Sequence, residues 1–519
     1  MRIETAAEEF CARYAAGEPQ VVFTTLVADL ETPVSAFLKV TGALGRKSPG
    51  ENPPPVSFLL ESVEGGAVRG RYSIIGLEPD LIFRANARRG EINRDPQHDP
   101  HGFTPAEGAP LPALRALIEE SRIALPDALP PMAAGVFGYL GYDMVRLIED
   151  TLAAPGPDPM GIPDAILVRP TLVIVFDAVE DSITIVTPVR PRQAVAAAAA
   201  LAAARARLSA IVDALDRPLD KSAATIHQGP PPIVPRSNTT PAEFKRMVSR
   251  AKEYIAAGDI FQVVLSQRFE AAFPLPPFAL YRALRRVNPS PYLFFLDYGA
   301  FAIAGSSPEI LVKAESGIVT IRPIAGTRPR GTTPHEDAAL EAELLADPKE
   351  RAEHLMLLDL GRNDVGRVAE IGSVKVTDQF FIERYSQVMH IVSNVEGRLR
   401  QDCDPLDALA AGFPAGTVSG APKVRAMQIV DELEKEKRSL YAGCVGYFSA
   451  GEEMDTCIAL RTALIKDGVM YVQAGAGIVA DSDPDFEQQE CINKAKALFR
   501  AAEEAQRFAA AGEKSPRDG

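Results

Sequence analysis

The chain has 519 residues, of which 46% are hydrophobic and 24% are charged, and its net charge is −14. The composition is that of a globular protein, and the length predicts two large domains. The acidic balance argues against a nucleic-acid partner, because phosphate binding requires a basic face. No stretch reaches the roughly 20 apolar residues of a membrane span, and no signal core is present, so we expect no membrane partner and a cytoplasmic location. The five cysteines match no metal or disulfide spacing, which indicates free thiols.

The first part of the chain predicts helices alternating with strands and hairpins. In chain order these are a helix over 1–18, strands over 20–30 and 56–63, a hairpin over 65–83, a helix over 112–124, a strand leading into a helix over 135–150, a hairpin over 171–189 and a helix over 193–215. His98 and His101 lie in a polar loop, where solvated side chains are a better interpretation than metal ligands.

A proline-rich segment over 216–238 is the best domain boundary in the chain. It divides an N-terminal domain, 1–228, from a second domain, 236–505, and the polar residues 506–519 predict a disordered tail.

The second domain opens with the capping-box pattern Thr240-Pro-Ala-Glu243 before a helix that stops at Gly258. In the next strand, Gln262 alternates with Phe261 and Val263 and therefore faces the opposite way. Further strands are predicted over 290–299, 300–312, 321–327, 374–399, 443–450, 454–465 and 469–480, with a glycine-rich loop and helix over 414–434 and a final helix over 484–508.

The segment IRPIAGTRPRG and the helix after it carry the strongest chemical pattern. The segment predicts a strand that ends in a tight turn at Gly326 and Thr327, and the following helix is broken at Pro348. Glu350 and Glu353 share one face of that helix. Two glutamates on a helix usually form a solvated face, but the flanking Leu and Met residues favour carboxylates that point at a ligand.

Eight segments occur in one order across residues 259–500: FQVVLSQRF, AGSSPEILV, IRPIAGTRPRG, KERAEHLMLLDLGRND, YSQVMHIVSNVEG, FPAGTVSGAPKVRA, DTCIALRTA and VQAGAGIVADSDPDFEQQECINKA. Together they resemble the chorismate-utilising enzymes, and most nearly the large subunits (component I) of anthranilate synthase. The N-terminal pieces LLESV and RYSIIG extend the resemblance. It implies an α+β fold with two opposed β-sheets packed on each other and helices outside. It also implies Mg²⁺-dependent conversion of chorismate and ammonia to anthranilate and pyruvate, with a regulatory first domain and a catalytic second one.

The resemblance implies roles for individual residues. Glu309 matches the acid that protonates the departing C4 hydroxyl, His390 assists pyruvate loss, and Thr417 orients the substrate. The implied substrate-binding residues are Gly326, Thr327, Lys423, Tyr441, Arg461, Gly475, Ala476 and Gly477. Without the resemblance, Arg461 would be interpreted as an ion-pair member and His390 as a core histidine.

Glu353 and Glu490 match the family's Mg²⁺ ligands, with Glu350 and Glu487 one helical turn before them in supporting positions. An exposed i, i+3 pair is the ordinary interpretation of Glu487 and Glu490, and the matching pair on the earlier helix favours the metal site instead.

Two positions indicate that ammonia is the nucleophile. Relatives that add water resemble this chain but carry a lysine base at the position of Gln262, and a glutamine cannot deprotonate water. Relatives that make aminodeoxychorismate often carry a nucleophilic lysine in PIKGT, where this chain has Ala325 in PIAGT. No cysteine has the setting of a glutaminase nucleophile. The resemblance therefore implies a separate glutamine amidotransferase subunit (component II) and a hetero-oligomer, such as a heterotetramer.

The resemblance also implies feedback inhibition by tryptophan, at a site formed by Ser62 with Pro291, Tyr292 and Leu293. On its own, LLES is only a buried strand with a polar end. Two alternatives stay open for the activity. One is an enzyme that stops at 2-amino-2-deoxyisochorismate, which His390 disfavours, and the other is a catalytically dead regulatory paralogue, which the presence of the predicted site residues disfavours.

Overall fold

The computed structural model describes residues 4–43, 56–64, 68–219, 232–385 and 388–511. The strands are β1 (Gln20–Val27), β2 (Ser57–Glu64), β3 (Val68–Asn86), β4 (Arg89–Asn93), β5 (Thr104–Pro105), β6 (Gly135–Leu140), β7 (Ala165–Asp177), β8 (Ser182–Val189), β9 (Arg236–Ser237), β10 (Gln262–Ala272), β11 (Tyr292–Asp297), β12 (Ala302–Ser307), β13 (Ile310–Glu315), β14 (Ile318–Ile321), β15 (Ile324–Pro329), β16 (Lys375–Arg384), β17 (Val388–Arg398), β18 (Gly420–Ala421), β19 (Cys444–Ser449), β20 (Met454–Ile458), β21 (Thr462–Lys466) and β22 (Val469–Ile478).

The helices are α1 (Ala7–Ala15), α2 (Pro33–Ala43), α3 (Pro110–Glu120), α4 (Ala197–Leu215), α5 (Pro241–Ala256), α6 (Pro277–Val287), α7 (Pro334–Ala346), α8 (Pro348–Gly366), α9 (Pro405–Gly412), α10 (Gly416–Ser419), α11 (Lys423–Leu433) and α12 (Pro484–Ala511), with 3-10 turns at Pro131–Ala133 and Tyr142–Leu147. None of the helices in the described ranges is both long and apolar enough to cross a bilayer.

The centre of the fold is the long antiparallel pair of β3 and β7, which runs from Tyr72 opposite Asp177 to Ala85 opposite Ala165. The second edge of β7 pairs with β8 near one end and with β6 near the other. The second edge of β3 is divided in the same way between β2 and β4. Two sheets therefore extend from this pair.

The first sheet runs β1-β8-β7-β3-β2-β11-β12-β21-β22-β10. The second runs β4-β3-β7-β6-β19-β20-β13-β14-β17, with β15 and β16 also paired to β17. Phe58 on β2 stacks on Phe137 on β6 with 4.7 Å between ring centroids, so the inner faces of the two sheets pack on each other. The predicted α+β fold with two opposed sheets is confirmed.

Helices cover the outer faces of both sheets. On the first sheet, α1, α2, α4, α6 and α12 bury apolar side chains that include Phe10, Phe37, Leu208, Leu284 and Leu498. On the second, α3, α8, α9 and α11 bury Leu114, Leu358, Leu409 and Met427. This packing holds α8 and α12, which carry the predicted metal ligands, against the sheets.

Both halves of the chain contribute to both sheets, because β2 pairs with β11 and β6 pairs with β19. The predicted division into domains at 228 and 236 therefore lies between segments that share a hydrogen-bonded network, and it stays a prediction. Part of the proline-rich segment lies outside the described residues, and its end, Arg236–Ser237, pairs with β10.

Local signals explain several element boundaries. Thr240 and Glu243 form the predicted capping box at the start of α5. Pro348 begins α8 after Asp347, whose carboxylate accepts from two backbone N–H groups.

Three expectations were wrong. Residues 68–86 form the single strand β3 instead of the hairpin predicted over 65–83, because β3 pairs with β7 from Tyr72 to Ala85; residues 65–67 lie outside the described ranges. Gly326 and Thr327 lie in a bulge within β15, not in a turn, because β15 stays paired with β17 on both sides of them. Helix α12 continues to Ala511, so residues 506–511 are helical; residues 512–519 lie outside the described ranges.

Candidate active site

Glu309 lies in the short connection between β12 and β13, and it is buried, with 6% of its surface exposed. The Thr417 hydroxyl donates to Oε1 at 3.0 Å, and the backbone N–H of Ile324 also donates to the carboxyl. Burial raises the pKa of Glu309 to about 8, against the opposing effects of these bonds and of Arg461. The carboxyl is therefore protonated at neutral pH, as a general acid requires.

Arg461 lies between β20 and β21 with a φ of +47°, a conformation that non-glycine residues seldom adopt. Its guanidinium forms no hydrogen bond or ion pair within the part of the chain that the structure describes. Burial lowers its pKa, although Tyr385 and Glu309 oppose that change. A half-buried cation without a direct partner is suited to a ligand carboxylate.

His390 on β17 faces the bulge of β15. Its Nδ1 lies 2.9 Å from the carbonyl oxygen of Gly326 and 3.1 Å from the Thr327 hydroxyl. Gly326 has a φ of +67°, which turns its carbonyl toward the imidazole. Nδ1 must carry the proton to donate to that carbonyl, so Nε2 is left as an acceptor. Burial lowers the pKa of His390 to about 4, which keeps the ring neutral.

Gln262 at the start of β10 contacts the predicted metal ligand Glu353 on α8. Its Nε2 donates to Oε1 of Glu353 at 3.1 Å, while its own Oε1 is buried and has no hydrogen-bond partner in the part of the chain that the structure describes. The pKa of Glu353 is raised by burial first and then by Glu350 and Glu490, so these carboxylates act on one another. Arg328 binds Glu350 at 3.1 Å and neutralises it in part.

These residues fit a hard divalent cation. Within the described ranges, no group of three or more His, Cys, Asp or Glu side chains is arranged to hold a metal ion. Mg²⁺, however, commonly takes only one or two protein carboxylates and keeps water or substrate oxygens at its other positions. A cation held by Glu353 and Glu490 would offset the repulsion from neighbouring carboxylates, which adds to the effect of burial on the pKa of Glu353. The Oε1 of Gln262, which has no hydrogen-bond partner among the described residues, is a further acceptor in a side chain that contacts Glu353.

The Gly475–Gly477 segment of β22 has one uncovered edge. It pairs with β10, whereas β21 reaches only to Val472, so no strand of the described residues covers the second edge there. A Cβ at Gly475 would lie 2.8 Å from the Tyr441 hydroxyl, which brings Tyr441 to this segment. Lys494 donates to the carbonyl of Gly475 at 2.9 Å and binds Glu490 at 2.7 Å.

Lys423 is not brought into contact with these residues. Its ammonium donates to Oδ2 of Asp364 at 2.8 Å and to the carbonyl of Gly412 at 3.4 Å. The predicted role of Lys423 as an anion holder therefore competes with a buried ion pair, and it stays a prediction.

Residues 58–500 match the family described as chorismate binding enzyme. The chain is a member of the chorismate binding enzymes. The family therefore includes strands of both sheets and every predicted site residue of this chain.

Several relatives of this chorismate binding enzyme have established names. Anthranilate synthase component 1 from Cereibacter sphaeroides is 55% identical and covers 97% of this chain and 99% of its own length. The protein of the same name from Pseudomonas putida is 46% identical and covers 95% and 97%. The crystal structure of anthranilate synthase component I from Streptococcus pneumoniae is 37% identical, covers 92% and 99%, and superposes with a TM-score of 0.73. The menaquinone-specific isochorismate synthase from Escherichia coli, at 19% identity and a TM-score of 0.67, shares the fold.

Sequence reasoning missed three residues of this chorismate binding enzyme's candidate site. Tyr385 packs edge-on against His390 with 5.5 Å between ring centroids. Lys494 follows Glu490 at the i, i+4 spacing that often forms an ion pair, and this spacing was an available signal. Asp364 gave no signal, because its partner Lys423 is 59 residues away in the chain.

The two segments of the predicted inhibitor site are neighbours in the first sheet. Leu293 on β11 pairs with Glu61 on β2, the residue before Ser62. Glu61 is buried and held by Arg285, whose Nε and Nη2 lie 2.7 and 2.8 Å from its oxygens. Ser290, just before β11, has a buried hydroxyl with no hydrogen-bond partner among the described residues.

Proposed function

We propose that the chain is the large subunit of an anthranilate synthase, which converts chorismate and ammonia to anthranilate and pyruvate through 2-amino-2-deoxyisochorismate. The observation that carries the proposal is the buried carboxyl of Glu309, whose pKa is raised by burial to about 8, near the half-buried Arg461, whose guanidinium has no direct partner among the described residues. Near full-length similarity to proteins named anthranilate synthase component 1 supports it.

Substrate binding would use the positive and open groups of the site. Chorismate has two carboxylates, and the Arg461 guanidinium would bind one of them through paired N–H donors. The uncovered edge of Gly475–Gly477 offers backbone N–H groups without side-chain obstruction. The Tyr441 hydroxyl lies next to this segment and would donate to the same anion.

The amination step would use Gln262 and Glu309. The unpartnered Oε1 of Gln262 would accept an N–H from ammonia and hold the nitrogen lone pair toward C2. Glu309 would give its proton to the departing C4 hydroxyl, which leaves as water, while Thr417 holds the carboxyl in place.

Loss of pyruvate would use His390. Neutral Nε2 is free to take the C2 proton, because Nδ1 is fixed on Gly326 and burial holds the pKa near 4. The methylene carbon of the enolpyruvyl group then receives a proton as the ether bond breaks, and the ring becomes aromatic.

Glu353 and Glu490 are the residues that would hold Mg²⁺, whose charge would neutralise the ring carboxylate. Glu350 would support them through water, because Arg328 already binds its carboxylate.

The name "component 1" of the relatives indicates a second component, and ammonia is mostly protonated at neutral pH. We therefore propose a glutamine amidotransferase partner (component II) in a hetero-oligomer, and a cytoplasmic location that agrees with the five free cysteines.

The test is product identification with the purified chain, chorismate, Mg²⁺ and either ammonium or glutamine. Anthranilate fluorescence should appear with ammonium and not with glutamine. Accumulation of 2-amino-2-deoxyisochorismate alone would favour the enzyme that stops at that product, and an absence of any product would favour the inactive paralogue.

We also propose tryptophan inhibition at Ser62 and Pro291–Leu293, which β2 and β11 bring side by side. Ser62→Arg should fill the pocket and abolish inhibition while chorismate turnover is retained. The chain itself has no tryptophan, so the fluorescence of the bound ligand reports binding directly. Unchanged inhibition would place the site elsewhere.

A further inference from the structure

A small cavity adjoins the candidate acid Glu309, and its lining on α8 includes residues assigned to neither substrate nor metal. Its volume is ≈ 20 Å³, which is room for about one water molecule. Glu309 and Thr417 contribute to its lining, and so do Gly361 and Asp364 of α8. The remaining lining is apolar, so the two carboxyl groups are its ionisable members.

Asp364 connects this cavity to a second ionisable group. Lys423 donates to Oδ2 of Asp364 at 2.8 Å, and the two side chains are only 9% and 10% exposed. Asp364 lines the cavity, and its Oδ1, the carboxylate oxygen that Lys423 does not bind, can accept from water there. A water molecule here would lie in a cavity whose lining includes both the Glu309 carboxyl and the Asp364 carboxylate.

We propose that this cavity is the proton-return route of Glu309, and that Asp364 and Lys423 supply the proton. The inference rests on Glu309 acting as the acid in the proposed reaction. The two residues would then act as relay groups through the cavity water, a role for Lys423 that differs from the predicted binding of a substrate anion.

Glu309 gives one proton to the C4 hydroxyl, which leaves as water, and becomes a carboxylate. The cavity water gives a proton to Glu309 and takes one from Asp364, which Lys423 has protonated. Lys423 regains a proton from solvent, and the proton released by the newly bound nitrogen leaves on the substrate side. One proton enters and one leaves in each amination.

The main test fills the cavity without disturbing the helix. A Cβ at Gly361 would lie 3.6 Å from Cγ2 of Ile321 and 3.8 Å from Cγ of Pro323, which is ordinary contact with two residues of the lining. Gly361→Ala therefore fits, and alanine also favours the helix. Gly366→Ala is the matched control, because it lies at the end of the same helix with open space around its Cβ.

With ammonium as the nitrogen source, Gly361→Ala should lower kcat about tenfold, a part of what general acid catalysis supplies. It should also enlarge the solvent deuterium isotope effect on kcat. The KM for chorismate, the Mg²⁺ activation curve and the unfolding temperature should not worsen, because no substrate or metal ligand moves. Gly366→Ala should match the unchanged enzyme in each measurement.

Asp364→Asn is the second variant, because it keeps the shape of the side chain but removes the relay. It should lower kcat and raise the isotope effect in the same way. A Gly361→Ala variant with unchanged kcat and isotope effect would overturn the proposal, and so would a loss that appears only in KM or in Mg²⁺ activation.

Glu309→Gln distinguishes a failure of the acid assignment from a failure of the proton route. If Glu309→Gln is inactive while Gly361→Ala is fully active, the proposed function stands and the proton route is wrong. If Glu309→Gln keeps its activity, Glu309 is not the acid, and both assignments fail.

Discussion

Glu309 and Glu353 are both carboxyl groups withdrawn from water, but their neighbours differ. Glu309 meets a threonine hydroxyl and a backbone N–H, and burial is the main reason for its raised pKa. Glu353 meets an amide, and both Glu350 and Glu490 add to the effect of burial on its pKa. Protonation is the way to neutralise a single buried carboxyl at the lowest free-energy cost, whereas neighbouring carboxylates are best neutralised by a cation. This difference is the reason that we propose Glu309 as an acid and Glu353 as a metal ligand.

The largest effect should come from Glu309→Gln, which removes the proton and keeps the shape. We expect kcat with ammonium to fall by about 10²–10⁴, the usual contribution of a general acid, with little change in the KM for chorismate. Steady-state anthranilate fluorescence measures both constants. Glu315→Gln on the exposed end of β13 is the control and should have no effect. Activity of Glu309→Gln near that of the control would contradict the acid assignment.

Glu353→Gln and Glu490→Gln test the proposed metal site. Each should raise the Mg²⁺ concentration for half-maximal activity by about 10–100-fold, because each removes an anionic oxygen from a hard-cation site. Glu350→Gln should cause a smaller shift, since Arg328 already binds that carboxylate at 3.1 Å. Activity titrations against Mg²⁺ give all three values. If the first two variants gave the same Mg²⁺ titration curves as the wild type, Glu353 and Glu490 would not be the metal ligands.

The pH dependence follows from the raised pKa of Glu309, about 8 against 4.5 for an ordinary glutamate. At constant free ammonia, kcat should decrease as pH rises through about 8, because the acid form is lost. The stability that the protonated carboxyl contributes is fully present below about pH 4.5 and is lost as pH rises through about 8. The unfolding temperature of the wild type should therefore fall relative to that of Glu309→Gln as the pH rises from about 4.5 to about 8. Parallel curves for the two proteins would show that the carboxyl is not held protonated.

The smallest effect should come from Gln262→Lys, which adds an amine beside Glu353. A partly desolvated lysine there can take a proton from water, so the variant should form some hydroxylated, isochorismate-like product without ammonia and make less anthranilate with it. Chromatography of reactions with chorismate and Mg²⁺ detects the product. Gln262→Met keeps the length without the amine and should form none. If the lysine variant makes none either and keeps full ammonia-dependent activity, Gln262 does not choose the nucleophile.

Local features of this chain could be predicted from sequence because their causes are local. The capping box at Thr240 and the helix start at Pro348 depend on residues within one turn. The resemblance gave the α+β fold, which the structure confirms, while the roles of the site residues stay predictions.

Features set by distant pairing could not be predicted. The bulge at Gly326 exists because β17 pairs on both sides of it, and sequence reasoning placed a turn there instead. The ion pair of Lys423 with Asp364 depends on how α11 and α8 pack, and the local sequence of neither helix indicates its distant partner.

The pairing of β6 with β19 has a consequence for synthesis of the chain. Leu140 of β6 lies opposite Cys444, so its partner strand leaves the ribosome about 300 residues later. At a synthesis rate of roughly 5–20 residues per second, the edge of β6 that will pair with β19 stays unpaired for about 15–60 s. An unpaired apolar strand edge is a template for wrong pairing during that time. We expect the nascent chain to need chaperone protection until translation has nearly ended, and a gene cut at the proline-rich segment to yield insoluble halves.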